Sequence, residues 1–398
     1  MTNSAFDTDS ELALQLAVAR QKRLRSEMVR LNIPTILTSD PTNILYGCGA
    51  RNMTVFGMMG PSRLMLLFAE GPCVLFEFAG CDHLAEGLPT IDVILPAPGL
   101  TYTSGAGYLA NIGQFSTQVA ALCRPYLGRE SRLAIERLDF PVTDSLRSHG
   151  FDLIDAGPIF SASRIIKLPI EIDVMRIAVA RVQAAVEEFE LAVDECRTEN
   201  ETWATLHRGL IATGGEYVST RLMQSGPRTF PYFQESSARQ IEPGDLVCLD
   251  TDCLGYLGYG VDFSRTYVAG GAQATSAQRQ LHAIARNQLD HNSALLQPGT
   301  SYEVFARSAF SVPEKFAPYG YYCLGHGLGI SGEHPNIPLY VPGEKYKFDG
   351  QFEAGMVICV ESYIGDPESR QGFKVEDQFL VTPTGHERLT TANFGIAS

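Results

Sequence analysis

The sequence predicts a two-domain α+β protein. Three observations carry this: an opening stretch that mixes helices with short apolar strands, one long amphipathic helix after it, and a remainder of strand pairs and helices without strict β–α–β alternation. The length of 398 residues agrees with two domains. The boundary is expected near residue 160, giving an α/β domain over 1–160 and a second domain over 161–398.

In chain order, Glu11–Arg30 is helical in composition and ends at Asn32-Ile33-Pro34. Thr35–Thr38, Leu64–Phe68 and residues 74–78 are short apolar runs bounded by Gly and Pro, as buried strands are. A helical stretch over 117–126 precedes strand-like segments at 133–135 and 153–154. The long helix is marked by Ile172, Met175, Val179, Val182, Val186, Phe189 and Val193, which step by three and four and draw a single apolar stripe. Such a stripe packs on a sheet and carries no chemistry. Downstream, Leu246–Asp250 and residues 261–268 form a strand pair joined through Gly255, Gly258 and Gly260. A helix over 276–296 stops at Pro298-Gly299, and residues 356–361 and 373–382 are two further strands.

Composition narrows the function. The chain carries 45 acidic against 31 basic side chains, a net charge of -14. Binding to nucleic acid or to an anionic membrane surface needs clustered Lys and Arg, so both are argued against, and a small-molecule partner is expected. No stretch approaches the roughly 20 apolar residues that span a bilayer. The first 21 residues lack a basic segment followed by an apolar run, which points to the cytoplasm. The nine cysteines include no C-x-x-C pair and are expected as reduced, mostly buried thiols.

The informative segment is residues 246–267, LVCLDTDCLGYLGYGVDFSRTY. It puts Asp250 and Asp252 at the end of one strand, at i and i+2 and so on one side, with Asp262 on the returning strand. Three carboxylates on one face repel one another unless cations neutralise them. The bland alternative is three solvated turn aspartates. Against it stands the apolar neighbourhood of Val247, Leu249, Val261, Phe263 and Tyr267. Farther on, His326 sits in Leu324-Gly325-His326-Gly327-Leu328-Gly329, where glycine lets backbone approach a ligand closely. Glu361 closes one apolar strand and Glu376 lies inside another, where a carboxylate needs a partner. Singly, each has an ordinary structural reading. Together, five carboxylates and one imidazole are the set expected for two hard or borderline metal ions such as iron, manganese or zinc.

The order Asp, Asp, His in G-H-G-x-G, Glu, Glu resembles the ligand order of the pita-bread superfamily, which includes creatinase, prolidase and methionine aminopeptidase. Residues 23–47, ending in Leu45-Tyr46-Gly47, are similar to the opening of a creatinase-type N-terminal domain. Arg164-Ile165-Ile166-Lys167 with Glu171, and Ile241-Glu242-Pro243-Gly244-Asp245, resemble the superfamily's lead-ins to the catalytic domain and to its first metal aspartate. The resemblance implies a C-terminal pita-bread fold behind an N-terminal creatinase-like domain, a two-metal site and a homodimer.

The chain departs from the peptidases of that superfamily. Asp262 lies twelve residues after Asp250 and ten after Asp252, on either side of the spacing the peptidases use. Their two substrate-holding histidines fall where this chain has Tyr232 and Glu333, with His334 one residue beyond. The Asp-x-Asp with a third Asp instead resembles the dimethylsulfoniopropionate lyases of this fold. That likeness implies Asp250, Asp252, Asp262, His326, Glu361 and Glu376 as metal ligands, iron as the metal, and Tyr321 as a pocket tyrosine. The lyases' catalytic aspartate falls at Gly332, so Glu333 beside it and Tyr321 are the candidate bases, with Tyr232 and His334 as candidate substrate-binding residues. The expected activity is β-elimination from a small zwitterionic acid. The alternatives are an Xaa-Pro dipeptidase-like or aminopeptidase P-like metallohydrolase, or a creatinase- or ectoine-hydrolase-like amidohydrolase.

Overall fold

The computed structural model describes residues 11–128, 130–343 and 349–396. The first ten residues, part of the stretch read above for a leader, lie outside them. The chain divides into two compact units, Met1–Arg164 and Ile165–Ser398.

The first unit runs α1 (Glu11–Arg30), β1 (Thr35–Thr38), α2 (Pro41–Cys48), α3 (Thr54–Met58), β2 (Leu64–Phe68), β3 (Cys73–Glu77), β4 (Val93–Pro96), α4 (Tyr108–Leu127), β5 (Arg132–Glu136), α5 (Phe140–Ser148), β6 (Asp152–Asp155) and α6 (Gly157–Arg164). Its strands form one six-stranded sheet in the order β4-β3-β2-β1-β5-β6. β1, β2 and β3 are buried at every residue, which explains why they read as continuous apolar runs rather than alternating ones. Phe115 and Val119 of α4 pack on Leu66, Phe68, Val74 and Phe76. Edge strand β4, Val93-Ile94-Leu95-Pro96, is also an apolar run, but its residues are exposed or half-buried, and it was not foreseen.

The second unit opens with α7 (Pro169–Val193) and α8 (Glu199–Ala212). The apolar stripe of α7 is buried from Met175 to Val193, with Ile172 only half-buried. There follow β7 (Tyr217–Val218), β8 (Met223–Ser225), β9 (Leu246–Asp250), β10 (Cys253–Leu254), β11 (Gly260–Val261), β12 (Ser264–Val268), α9 (Ser276–Ala294), α10 (Tyr302–Arg307), β13 (Cys323–Leu328), β14 (Gly332–Pro338), β15 (Val357–Asp366), β16 (Gln371–Thr382) and β17 (Gly385–Arg388). The largest sheet is antiparallel, in the order β14-β13-β15-β16-β17. Two three-stranded sheets, β12-β9-β8 and β11-β10-β7, complete the unit. Ile358, Val360, Ile364, Phe373, Val375 and Phe379 of β15 and β16 join Leu281, Ala285 and Leu289 of α9 in one core. Strand alternation turns the residues between them to the other face, where the polar side chains collect.

Candidate metal centre

The Asp-x-Asp segment does not continue its strand. β9 stops at Asp250, and Asp252 takes a left-handed φ of 38°, a conformation that Asp tolerates better than most residues. The returning strand breaks too, leaving Asp262 and Phe263 between β11 and β12. Thr251 holds the two breaks together: its Oγ1 donates to Val261 O (3.2 Å) and accepts from Phe263 N (3.0 Å). The pairings Ser264↔Asp250 and Cys253↔Val261 flank the gap, so Asp252 and Asp262 fall opposite one another within it. The uninterrupted strand over 261–268 is thereby corrected. The left-handed backbone of Asp252, outside β9, replaces regular i/i+2 alternation between the two first aspartates. Asp252 Oδ2 accepts from Thr220 Oγ1 at 2.6 Å.

The rest of the centre comes from cross-strand rows on one face of the five-stranded sheet. His326 of β13 pairs with Cys359 of β15, which pairs with Gln378 of β16. Glu361 pairs with Glu376 in the next row, and Tyr363 with Lys374 in the third. His326 Nε2 lies 3.5 Å from Glu361 Oε1 and 3.6 Å from both Asp262 Oδ2 and Glu376 Oε1. Two acidic residues directly across from one another in a buried ladder are destabilising unless a cation stands between them. Asp262 Oδ1 and Glu376 Oε1 are buried with no hydrogen-bond partner. Orphaned carboxylate oxygens beside an imidazole are what a metal site leaves when described by its protein atoms alone, so these residues fit a bound cation.

Lys374 escaped the sequence reading. Its fully buried ammonium lies 2.6 Å from Glu361 Oε2, 2.8 Å from Glu376 Oε2 and 3.5 Å from Asp250 Oδ2, and it donates to Ser264 Oγ at 2.7 Å. Its position two residues before Glu376 on one strand was the available signal. Asp250 is held through both oxygens, by Ser264 Oγ (2.7 Å) and by the Tyr232 hydroxyl, which donates at 2.6 Å.

Burial, and then Glu376 and the neighbouring aspartates, push the Asp262 carboxyl far above its usual range. Burial and Asp250 raise Asp252 to about 7. Burial and Glu376 raise Glu361. Burial opposes charge on His326 as well, but Glu361, Glu376 and Asp262 overcome it and hold the imidazole protonated well above its usual value. Groups with raised folded pKa values stabilise the fold below their unfolded values and lose that contribution as pH rises through the folded ones. For Asp252 the window runs from about 3.9 to about 7. The chelated protein is therefore expected to melt progressively lower between about pH 4 and pH 7. Metal-loaded protein should hold or gain stability there, because ionised ligands bind cations. Melting curves with and without chelator measure this, and parallel profiles would speak against a cation site.

An aromatic wall adjoins the carboxylates. The Tyr232 ring lies 4.9 Å from Phe233, 5.5 Å from Tyr321 and 4.9 Å from Tyr363, and Tyr321 lies 4.8 Å from Tyr322. Lys374 Nζ stands 5.5 Å and 5.2 Å from the Tyr232 and Tyr321 ring centres. At the outer end Phe233 is 52% and Tyr322 59% exposed, so the wall runs from the buried ammonium to solvent.

Glu333 and His334 are not where the sequence reading put them. Glu333 pairs across the sheet with Gly327, the neighbour of His326, which turns its side chain to the opposite face from the imidazole. There it forms an ion pair with Lys167, with both side chains nearly inaccessible (3% and 2%), and accepts from Ile330 N. A carboxylate neutralised by a buried ammonium on the far face is not a base for this centre. His334 lies in the bulge between the His326 and Gly327 pairings, and its ring packs 5.5 Å from Tyr302 of the hydrophobic core, not on Tyr232.

A mixed α/β chain that gathers carboxylates and one histidine on the face of an antiparallel sheet is a metalloenzyme of the pita-bread kind. The chain belongs to metallopeptidase family M24, whose model matches residues 173–383. It is 32% identical over 384 residues to dimethylsulfoniopropionate lyase DddP of Roseovarius nubinhibens, covering 94% of this chain and 85% of that protein. It is also 30% identical over 236 residues to the Xaa-Pro dipeptidase of Pyrococcus furiosus, covering 57% and 63% of the two chains. The fold is that of the prolidase from Pyrococcus horikoshii OT3, with a TM-score of 0.75 at 21% identity over 95% of this chain and 100% of that one. Among the described residues, no helix is long and apolar enough to cross a membrane. All nine cysteines are free, and seven are buried.

Proposed function

We propose that this chain is a metal-dependent lyase that cleaves dimethylsulfoniopropionate, or a related small zwitterionic acid, by β-elimination. In this reading Asp250, Asp252, Asp262, His326, Glu361 and Glu376 hold two metal ions, iron before manganese or zinc. When bound, the metal supplies Lewis-acid polarisation of the substrate carboxylate and so acidifies the adjacent C–H. The observation that carries the proposal is the aromatic wall standing against the carboxylate cluster. The ring faces of Phe233, Tyr321 and Tyr322 attract an onium cation, while the other end of the substrate reaches the buried polar centre.

With Glu333 bound to Lys167, Tyr321 is the remaining candidate base. Burial pushes its phenol far up, the Glu361 charge adds to the rise and Lys374 opposes it. The base takes a proton from the carbon beside the carboxylate. The C–H electrons form the C=C bond, and the C–S electrons leave with a neutral thioether. Tyr232 holds Asp250 and closes the inner end of the wall. The reading also carries a cytoplasmic location and a homodimer.

The second reading, an Xaa-Pro dipeptidase, is favoured by the likeness to the Pyrococcus furiosus enzyme. Against it, Tyr232 and Glu333 stand where the peptidases carry histidines that stabilise the oxyanion. The complete ligand set argues against a metal-free amidohydrolase. Iron-loaded protein given dimethylsulfoniopropionate should release a volatile thioether and an alkenoic acid in equal amounts. Free proline from an Xaa-Pro dipeptide, with no thioether from any sulfonium acid, would overturn the lyase reading in favour of the hydrolase.

A further inference from the structure

The face that gathers the carboxylates also carries a sulfur outside the Asp-Asp-His-Glu-Glu order. Cys359 is the direct cross-strand partner of His326, and alternation along β15 turns it to the same face as Glu361. Its side chain is fully buried, with Sγ 3.6 Å from the backbone oxygen of Asp262. Asp262, His326, Cys359 and Glu376 each offer one ligand atom, and these four atoms all lie within 4.8 Å of one another. Donors about 2.0–2.3 Å from one ion stand within about 4.6 Å of each other even when opposed across it, so the spacing suits a shared cation after a small contraction. The orphaned Oε1 of the fully buried Glu376 and Oδ1 of Asp262 point independently to a missing partner in this group.

We infer that Cys359 is a sulfur donor to the metal that Asp262, His326 and Glu376 hold. The inference rests on the metal reading above and deepens it. As the sulfur–metal bond forms, the thiol proton passes to solvent. A mixed N/O/S set favours iron, cobalt or zinc over magnesium or manganese, because thiolate is a soft ligand.

Cobalt(II) tests it with a readout separate from turnover. The full chain loaded with cobalt, with stoichiometry fixed by metal analysis, should show a near-ultraviolet thiolate-to-cobalt charge-transfer band beside the ligand-field bands. Cys359→Ser should abolish that band while retaining bound cobalt; Cys253→Ser and Cys323→Ser should keep it. X-ray absorption of the unaltered cobalt protein adds a measurement independent of any variant: a sulfur scatterer at about 2.3 Å is expected. Bound cobalt with only nitrogen and oxygen scatterers and no charge-transfer band overturns the Cys359 inference alone. A band that survives Cys359→Ser does the same. A chain that binds no cobalt overturns both the inference and the metal reading beneath it.

Discussion

Glu376→Gln is expected to lower turnover by roughly a thousandfold and to strip most of the bound metal. The side chain is fully buried and its two oxygens have separate duties. Oε2 lies 2.8 Å from both Lys374 Nζ and Ser264 Oγ, while Oε1 faces His326 Nε2 and has no hydrogen-bond partner. Glutamine keeps the volume and removes the charge, so the loss reads the electrostatic role and not a cavity. Deleting even an outer-sphere partner of a metal typically costs about 10–100-fold in affinity, and a direct ligand should cost more. The several kcal/mol of transition-state stabilisation that a Lewis acid contributes convert to about three powers of ten in rate. Metal analysis after gel filtration and a turnover assay with metal in excess measure the two losses. A variant that retains full metal and full turnover would remove Glu376 from the centre.

Much of the architecture was legible because burial writes itself into sequence. β1, β2 and β9 are covered on both faces and read as unbroken apolar runs, and α7 shows its buried stripe at helical spacing. β4 was missed although Val93-Ile94-Leu95-Pro96 is apolar: the run is only four residues long, ends in proline, and lies exposed or half-buried at a sheet edge. The break between β11 and β12 was also invisible. It goes with the left-handed backbone of Asp252 and the bridging hydroxyl of Thr251, and nothing in the composition of residues 261–268 marks it.

The centre was legible by residue type but not by face. Unusual carboxylates in apolar strands pointed to Glu361 and Glu376, and the glycines pointed to His326. Which neighbours share their face depends on cross-strand register, which a single chain does not display. Register sets Cys359 beside His326 and Lys374 beside Tyr363, and it turns Glu333 away. Proximity in sequence to Gly332 was therefore a poor guide. Gly327↔Glu333 pairing faces that carboxylate toward Lys167, an interaction spanning 166 residues of chain.

Lys374→Met should produce the largest stability change, chiefly in the metal-free protein. The ammonium is inaccessible to solvent and sits among Asp250, Glu361 and Glu376. Burial opposes its charge, yet these three carboxylates outweigh burial and raise its pKa well above the usual lysine value. A group with a raised folded pKa contributes fully below its unfolded value of about 10.4, so the whole contribution is present at neutral pH. Methionine of similar length fills the space but leaves the carboxylates without their built-in counter-charge. Removing one partner of a buried ionic cluster costs about 3–5 kcal/mol. The chelated variant should therefore unfold at a markedly lower urea concentration than the chelated parent, with an unchanged slope. Metal restores positive charge to the same oxygens, so the loaded variant should recover most of the difference. Its metal affinity should rise as well, because one competing cation has gone from the cluster. These two effects separate Lys374 from Glu376: one substitution makes the fold depend on metal, and the other makes metal unable to bind. Equal urea midpoints for the chelated parent and the chelated Lys374→Met protein would show that the ammonium does not compensate the carboxylates.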